Sequence, residues 1–356
     1  MLYLAIYAGL SFFHFIHVRN IYLVVFFSLL LFSAFRFEVG CDWLGYLYQF
    51  RGFDRFFSEN PVGFLAIIKS EEPLWLSLFA AMHWLGLPYP WINVFSSTIF
   101  FLGAHILARR QPGRFAFLIL LFPILIINMP MSGIRQGAAI GIMCMAFVAF
   151  IDRRLMRFAF LTLVAASFHA SAMVFMFLAP FMSSKYSIKH YALAVVFATF
   201  GVYALFSTSA VDVAISRYFD SGRDAFGAAF RTAVLAATAI FFFLFLRKKW
   251  QVVFQQDYKL VMVGTLMMLG VFMMVPISTI IGDRLSYYLI PIQAMIFARL
   301  PYLPLRKNRK LLIAAPHVGL LLMFAVWISL SWHFNLCYMP YQTWLFGFPR
   351  NSLYDF

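Results

Sequence analysis

Four short polar clusters interrupt an otherwise apolar sequence, and their residue types suit phosphate binding and proton transfer. A guanidinium group binds phosphate oxygens through paired hydrogen bonds. A carboxylate or a neutral imidazole can take a proton from a hydroxyl group. The clusters therefore indicate a site for a substrate that carries a large anionic group. They lie at residues 36–46, 132–136, 167–171 and 282–288.

The first cluster combines one basic and two acidic side chains, Arg36, Glu38 and Asp42, within seven residues. One interpretation is an interfacial anchor, in which these charges pair and Trp43 and Tyr46 join an aromatic belt. The other is a binding site, in which Arg36 binds an anion, Asp42 accepts a proton and Tyr46 holds a sugar ring. The residues of this cluster alone favour neither interpretation.

The second cluster contains Arg135, which has no acidic residue within sixteen positions on either side. An arginine at membrane depth without a local partner is costly to desolvate, which suggests a functional role. Ser132 can cap the following helix, which would place Arg135 and Gln136 at a positive helix start that favours phosphate. The alternative is an arginine that extends its charged group to the membrane interface.

The remaining polar positions allow the same two kinds of interpretation. His169 lies within an apolar segment, where a lone histidine is more often a core residue than a general base. Arg284 directly follows Asp283, so a structural ion pair and an anion site are both open. In the C-terminal tail, Tyr341 fits either a sugar-binding flap or an interfacial anchor.

The elements that must position these clusters are membrane helices. The 356 residues are 63% hydrophobic and only 12% charged, whereas about a quarter of an ordinary soluble domain is charged. Apolar runs near the roughly 20 residues that a helix needs to cross a membrane recur along the chain. This composition excludes a soluble enzyme, a secreted disulfide scaffold, a disordered chain and an outer-membrane barrel. Spans are predicted near 2–18, 20–35, 90–108, 115–131, 134–151, 158–182, 190–208, 229–246, 260–281, 285–300 and 311–333.

The predicted fold is therefore an all-α polytopic membrane protein with about 10–12 membrane helices in one integral domain over residues 1–356. Assigning the almost purely basic loops to the cytoplasm places 18 of the 28 basic and two of the 13 acidic residues there. The mixed-charge loops 36–72 and 209–228 and the tail 334–356 then lie on the periplasmic side.

Two segments do not fit simple alternation across the membrane. Segment 158–182 runs between two basic loops. It is predicted either to form a broken or re-entrant pair that turns near His169, or to leave the 183–190 loop outside. One element within 73–108 should also fail to cross. Irregular backbone at membrane depth occurs where it is buried in protein or lines a cavity, so both segments indicate an internal cavity.

Several familiar motifs are missing from the sequence. There is no GxxxxGK[ST], DxD, HExxH or GxSxG, so nucleotide hydrolysis, metal-bound nucleotide sugars and zinc or serine peptidase chemistry have no support. Cys41, Cys144 and Cys337 show no CxxC and no metal-ligand spacing. At most two of the three can pair, and we predict no redox framework. Neither a metal site nor a cofactor is expected. The net charge of +15 follows from topology and does not point to nucleic acid.

At its polar clusters the sequence resembles the EpsG family of bacterial polysaccharide polymerases, relatives of the Wzy O-antigen polymerases. The matching stretches occur in the family's order and span nearly the whole chain. One departure is Cys41, where the family pattern usually has a small hydroxylic residue before the aspartate. The stretches are Phe35-Arg36 through Asp42 and Tyr46, Glu72-Pro73, Ile134 to Ala138, Ala166 to Ser171, Asp283-Arg284 with Tyr287-Tyr288, and Pro340-Tyr341.

The resemblance implies a GT-C-like glycosyltransferase of the bacterial inner membrane. Such an enzyme transfers a growing glycan from undecaprenyl pyrophosphate onto the non-reducing end of a new lipid-linked repeat unit at the periplasmic face. Its partners would be the lipid-linked oligosaccharide donor and acceptor, membrane lipid and a chain-length regulator. The alternatives are an O-antigen ligase, which shares the donor, and a flippase for lipid-linked oligosaccharide, for which no internal repeat is visible.

The residue roles under this hypothesis follow from the chemistry of a pyrophosphate leaving group. Arginines should stabilise the negative charge that develops on it, and Arg36, Arg135 and Arg284 are the candidates. The acceptor hydroxyl needs a general base, for which Asp42 is the first choice and His169 the second. Glu38 would orient an arginine or a sugar. Gln136, Tyr46 and Tyr341 complete the predicted substrate contacts.

Overall fold

A computed structural model describes residues 2–16, 21–53, 67, 72–182, 188–189, 192, 196, 227–305 and 308–349. Within these ranges the regular structure is helical, which confirms the prediction of an all-α polytopic membrane protein. The predicted span 190–208 lies almost wholly outside the described residues. So do residues 54–66 and 209–226 of the two mixed-charge loops and the end of the tail. The single-domain organisation stays a prediction.

Most helices are apolar along their whole length, and 3-10 or π segments interrupt or extend several of them. In chain order they are α1 (Leu2–Phe15), α2 (Tyr22–Ala34), α3 (Trp43–Arg51), α4 (Pro73–Trp84), α5 (Pro90–Ala108), α6 (Arg114–Leu121, continued by a π segment Phe122–Ile126), α7 (Ile134–Ile151), α8 (Leu155–Phe168), a 3-10 helix (Ala170–Met182), α9 (Ala228–Phe241, continued by a π segment Phe242–Leu246), α10 (Arg247–Val253), α11 (Tyr258–Met274), α12 (Thr279–Ala298), a short 3-10 turn (Leu300–Tyr302), α13 (Arg309–Leu330) and α14 (Trp332–Tyr338).

Four helical stretches of the described chain are long and apolar enough to cross a membrane: α5, α7, α13 and Ala228–Val253, which runs from α9 through α10. Six shorter apolar helices accompany them. The chain is therefore a multi-pass membrane protein, and the predicted number of 10–12 spans stays a prediction. We call the end of the bundle that holds Arg135 and Arg284 the outer end. The end that holds Arg110 and Arg299 is the inner end.

Helix α7 forms the centre of the bundle. In α7, 89% of the apolar stretch is buried inside the protein, whereas in α13, at the periphery, only 17% is buried. Helix α5 packs closely against it because Gly103 and Gly141 face each other. A side chain at Gly103 would collide with the backbone of Gly141, so these small residues set the helix spacing, as is common between membrane helices. This packing fixes the first turn of α7, which carries Arg135.

A helical hairpin follows α7. Helix α8 and the 3-10 helix after it pack against each other, and the chain turns at His169. His169 lies at the outer end, beside Glu72. Met182, at the end of the 3-10 helix, lines an inner-end cavity together with Ile151 and Arg153. The structure therefore favours the predicted broken pair that turns near His169 over a single crossing.

Helices α3 and α4 form a separate layer at the outer end with their own hydrophobic cluster. Twelve residues in α4 span only about 18 Å, less than a membrane core. Its first residue follows Glu72 at the outer end, and the chain after it returns to Tyr89, which donates a hydrogen bond to the Trp43 carbonyl at 3.1 Å. This agrees with the prediction that one element within 73–108 does not cross.

Candidate functional site

A cavity of about 800 Å³ opens at the outer end of the bundle, and α3 forms part of its wall. Its wall comes from the loop before α3, the starts of α7, α9 and α12, the turn at residue 169, and α13 with α14. Six of the nine residues predicted for the site line it, namely Asp42, Tyr46, Arg135, Gln136, His169 and Arg284. The polar clusters therefore converge in space, although up to 242 residues separate them in the sequence.

One wall of the cavity is organised by Glu72, the residue before α4. Its Oε2 atom accepts a hydrogen bond from Arg135 Nη1 at 2.6 Å, and its Oε1 atom lies 2.6 Å from His169 Nδ1. Glu72 and His169 side chains are only 12% and 11% exposed, whereas Arg135 is 32% exposed. One carboxylate therefore holds both an arginine and a histidine that face the cavity.

The ionisation of Glu72 follows from these contacts. Burial by itself would raise the pKa of this carboxyl group, but His169 and Arg135 outweigh it and lower its pKa to about 2. Glu72 is therefore ionised at neutral pH. Because a carboxylate can only accept hydrogen bonds, the proton between the two residues belongs to Nδ1 of His169. Its Nε2 atom has no hydrogen-bond partner among the described residues, and the ring lines the cavity.

Protein partners occupy the Arg135 guanidinium only in part. Its Nε atom donates a long hydrogen bond of 3.4 Å to the Tyr46 hydroxyl, and its guanidinium lies over the Tyr46 ring at 5.5 Å. The sequence indicated an arginine without a local partner. The structure supplies a distant partner, because Glu72 lies 63 positions away in the chain.

Asp42 lies at the rim of the same wall. Its Oδ2 atom accepts a hydrogen bond from the Ser132 hydroxyl at 3.3 Å. The side chain is exposed to the cavity, yet the surrounding walls raise the pKa of this carboxyl group above its usual value, against the influence of Ser132, Arg135 and Arg284. Gly40 brings this loop against Met131, because it has φ +110° and no side chain to collide with the Met131 carbonyl.

The opposite wall is built by α9 and α12 around a second arginine–carboxylate pair. Arg231 Nε donates to Asp283 Oδ1 at 2.8 Å, and its guanidinium lies 5.5 Å from the centre of the Tyr287 ring. Arg284 is exposed in the cavity, and in the described part of the chain its guanidinium has no hydrogen bond or ion pair. Gln136 ties this wall to α7, since its Nε2 donates to the Arg284 carbonyl at 2.6 Å.

Three residues predicted for the site do not line the cavity. Arg36 is 1% exposed, and its three nitrogen atoms donate to carbonyls of the loops around it and to Asn93 Oδ1, the last at 2.7 Å. It is therefore not available to a pyrophosphate, and it holds the loops in place. Glu38 lies outside the cavity lining with φ 52°. Tyr341 stacks on Phe32 with ring centroids 4.4 Å apart.

Sequence reasoning missed three residues of the cavity region. Glu72 stands in a stretch that matches the family pattern, but no role was predicted for it. Arg231 is a lone basic residue in the first turn of an apolar helix, the same signal that singled out Arg135. Cys337 forms a disulfide bond with Cys41, a pair that the cysteine spacing did not predict.

The disulfide joins two parts of the cavity wall. Both cysteines line the cavity, and the backbone N–H of Gly40 donates to the Cys337 carbonyl at 2.6 Å. Asp42 follows one cysteine and Tyr338 follows the other. The bond therefore fastens the loop that carries Asp42 to the start of the C-terminal tail, across 296 positions of sequence.

This arrangement can bind an anion and move a proton. Arg284 offers an exposed guanidinium, Arg135 offers a partly occupied one, and His169 and Asp42 can take a proton. Tyr46 and other aromatic residues also line the cavity, and most of their ring surface is buried. Among the described residues, no group of three His, Cys, Asp or Glu side chains is placed to hold a metal ion.

Comparison with known proteins gives one match. The model of the EpsG family covers residues 19–343 of the 356, which includes every residue of the cavity wall named above. No curated protein and no solved structure matches the chain.

Proposed function

The chain belongs to the EpsG family, and from this premise we propose that it polymerises lipid-linked oligosaccharide repeat units into a bacterial surface polysaccharide. The family indicates a polysaccharide polymerase of glycosyltransferase type. The donor and acceptor would both be undecaprenyl-pyrophosphate-linked oligosaccharides, used directly from the membrane without a nucleotide sugar. A chain-length regulator is a further candidate partner.

The outer cavity is the observation that carries this proposal. Three arginines reach it, and one of them, Arg284, keeps its guanidinium without a hydrogen bond or ion pair in the described part of the chain. An exposed planar guanidinium suits the oxygens of a pyrophosphate. Arg135 and Arg231 also line the cavity, and each forms an ion pair with one carboxylate. The cavity therefore offers positive charge where a phosphate leaving group would develop negative charge.

The reaction places definite demands on the remaining residues. The bond between the donor's anomeric carbon and the pyrophosphate oxygen breaks, and the pyrophosphate leaves with the electron pair. The acceptor hydroxyl oxygen forms the new glycosidic bond and gives up its proton. Asp42 and His169 are the two cavity groups placed to take that proton.

Two features support a periplasmic position for the cavity. Basic residues of the described loops, among them Arg110, Arg153 and Lys259, line cavities at the opposite end of the bundle, as expected for the cytoplasmic side. The Cys41–Cys337 disulfide lies in the cavity wall, and disulfides persist in oxidising compartments such as the bacterial periplasm. The outer end would therefore face the periplasm of an inner-membrane protein.

The test is polymerisation by the purified full chain in lipid nanodiscs supplied with a synthetic undecaprenyl-pyrophosphate oligosaccharide. We expect a ladder of longer lipid-linked products. Arg284→Lys keeps the charge and loses the planar fork, so its initial rate should fall about 10²–10³-fold. Arg154→Lys makes the same exchange at an exposed position of the inner end and should match the wild type.

Other outcomes would point elsewhere. A single transfer to a different acceptor, with no ladder, would assign the chain to the ligases. Movement of the lipid-linked oligosaccharide across the bilayer without any new bond would assign it to transporters. A wild-type rate in Arg284→Lys would remove Arg284 from the anion site.

A further inference from the structure

We infer that His169 is the general base of the transfer reaction and that Glu72 is its positioning residue. This inference rests on the proposed function and selects between the two proton acceptors that the cavity offers. It also gives a role to Glu72, which has no assigned part in the chemistry. The geometry that carries it is a single buried carboxylate whose two oxygens hold two different cavity groups.

The orientation of His169 is fixed from one side. The hydrogen bond from Nδ1 to Glu72 Oε1 at 2.6 Å sets the tautomer, because Glu72 accepts and Nδ1 must carry the proton. Nε2 is then the basic atom, and the ring that carries it lines the cavity. A general base needs such a fixed direction toward the proton that it removes.

Asp42 is held less firmly than His169 and is therefore less suited to act as the general base. The one hydrogen bond to its carboxylate in the described part of the chain is the long contact from Ser132 at 3.3 Å. Its side chain is exposed to the cavity, so no buried partner fixes its direction. Asp42 is better placed to accept a hydrogen bond from a sugar hydroxyl and so to orient the acceptor.

The proton transfer balances within the Glu72–His169 pair. The acceptor hydroxyl gives its proton to Nε2, its oxygen bonds to the donor's anomeric carbon, and the pyrophosphate leaves with the electrons of the broken bond. The resulting imidazolium lies against the ionised Glu72, whose negative charge offsets the new positive charge in this largely buried pair. Without Glu72, His169 would carry that charge between Arg135 and Arg284.

The charges around His169 support the same division of roles. His169 occupies the turn between α8 and the 3-10 helix, and the charged groups facing it are Glu72, Arg135 and Arg284. Burial lowers the pKa of His169, Glu72 opposes this, and the two arginines add to it. Removing the Glu72 charge should therefore lower the pKa of His169 further, and the acidic limb of the rate profile should move to lower pH.

The first experiment titrates His169 in the full chain by NMR of ¹⁵N-labelled histidine, which needs no substrate. In the wild type we expect the tautomer with the proton on Nδ1. In Glu72→Gln the midpoint should fall by about 1–3 pH units, because an opposite charge in contact is lost. Glu72→Asp, which restores the charge, should return part of the shift. Asp283→Asn removes the carboxylate of the other cavity pair and should leave the midpoint in place.

The second experiment measures polymerisation rates as a function of pH. His169→Asn keeps a donor toward Glu72 in the place of Nδ1 and removes Nε2. It should therefore fold normally and lose about 10²–10⁴-fold in kcat, with little change in KM. In Glu72→Gln the acidic limb should move to lower pH together with the NMR midpoint.

The results separate this inference from the proposed function. If wild-type protein forms no longer products, the proposed function fails, while the titration still tests the coupling of His169 to Glu72. If the wild type polymerises and His169→Asn keeps its rate, His169 is not the base. If Glu72→Gln leaves the midpoint of His169 unchanged, Glu72 does not act through the histidine.

Discussion

Arg299 at the inner end and Arg135 at the outer end each pair with a carboxylate, but the Arg299 side chain is enclosed and that of Arg135 is partly exposed. The Arg299 side chain is 2% exposed and pairs with Asp257. Its Nε donates to Gln111 Oε1 at 2.7 Å, and the rings of Trp250 and Phe254 lie 5.4 and 4.6 Å from its guanidinium carbon. A cavity adjoins this cluster, yet the protein encloses the guanidinium itself.

Arg135 differs in what remains unoccupied. A third of its side chain is exposed, and Glu72 divides its two oxygens between Arg135 and His169. Ion pairing alone therefore does not mark a functional site in this protein. The distinguishing feature is hydrogen-bonding capacity that is held in position and still faces open space. Such a group can change partners when a substrate arrives, whereas an enclosed one contributes to stability.

The largest effect that tests this comparison is the loss of the enclosed pair. Arg299→Met leaves Asp257 buried without its partner, which should cost about 3–5 kcal/mol in the free energy of unfolding. The measurement is the unfolding midpoint of the purified protein in detergent. Arg135→Met should cost clearly less, because the Arg135 side chain is already one-third exposed and Glu72 keeps its contact with His169. A larger loss in Arg135→Met than in Arg299→Met would reverse the comparison.

The same contrast explains which parts of the site could be predicted from sequence. Apolar runs predict the helices, whereas the basic loops around 158–182 leave open whether the chain turns near His169, which the structure favours. Arg135 and Arg284 were found because a charge at the end of an apolar span has few reasons to be there. Arg36 gives the same signal, yet its guanidinium is taken up by carbonyls near it and by Asn93.

The partners of these residues could not be predicted, for a physical reason. Whether an arginine is enclosed or open depends on chain segments that arrive from far away. Glu72 reaches Arg135 across 63 positions, and Cys337 reaches Cys41 across 296. The spacing of residues along the chain does not indicate either contact. One sequence therefore shows that Arg135 and Cys41 are unusual but does not show which residues they pair with.

A second difference between the two ends is covalent, because the disulfide lies in the outer cavity wall. Cys41→Ser and Cys337→Ser should each lower the free energy of unfolding by about 2–4 kcal/mol. Each should also slow polymerisation, since Asp42 and Tyr338 would lose their common anchor.

Because both changes break one bond, the double variant should resemble either single variant in thermal unfolding. Reductant should lower the midpoint of the wild type and leave the double variant unchanged. Additive losses in the double variant would mean that the two residues act separately.

The smallest effect is expected at an exposed ion pair of the inner end, Arg110 with Asp152. These side chains are 43% and 21% exposed, although Arg110 Nη2 contacts both carboxylate oxygens, at 2.8 and 2.6 Å. Asp152→Asn should lower the free energy of unfolding by only about 0.2–1 kcal/mol, and 1 M salt should remove most of that change.

This pair also tests the comparison, because Arg110 is in contact with the enclosed Arg299 cluster. Arg299 Nη2 donates to the Arg110 carbonyl at 3.3 Å, so a loss well above about 1 kcal/mol would mean that the surface pair supports the cluster through this backbone. The enclosed region would then extend to the inner surface, and exposure would no longer separate structural from functional arginines.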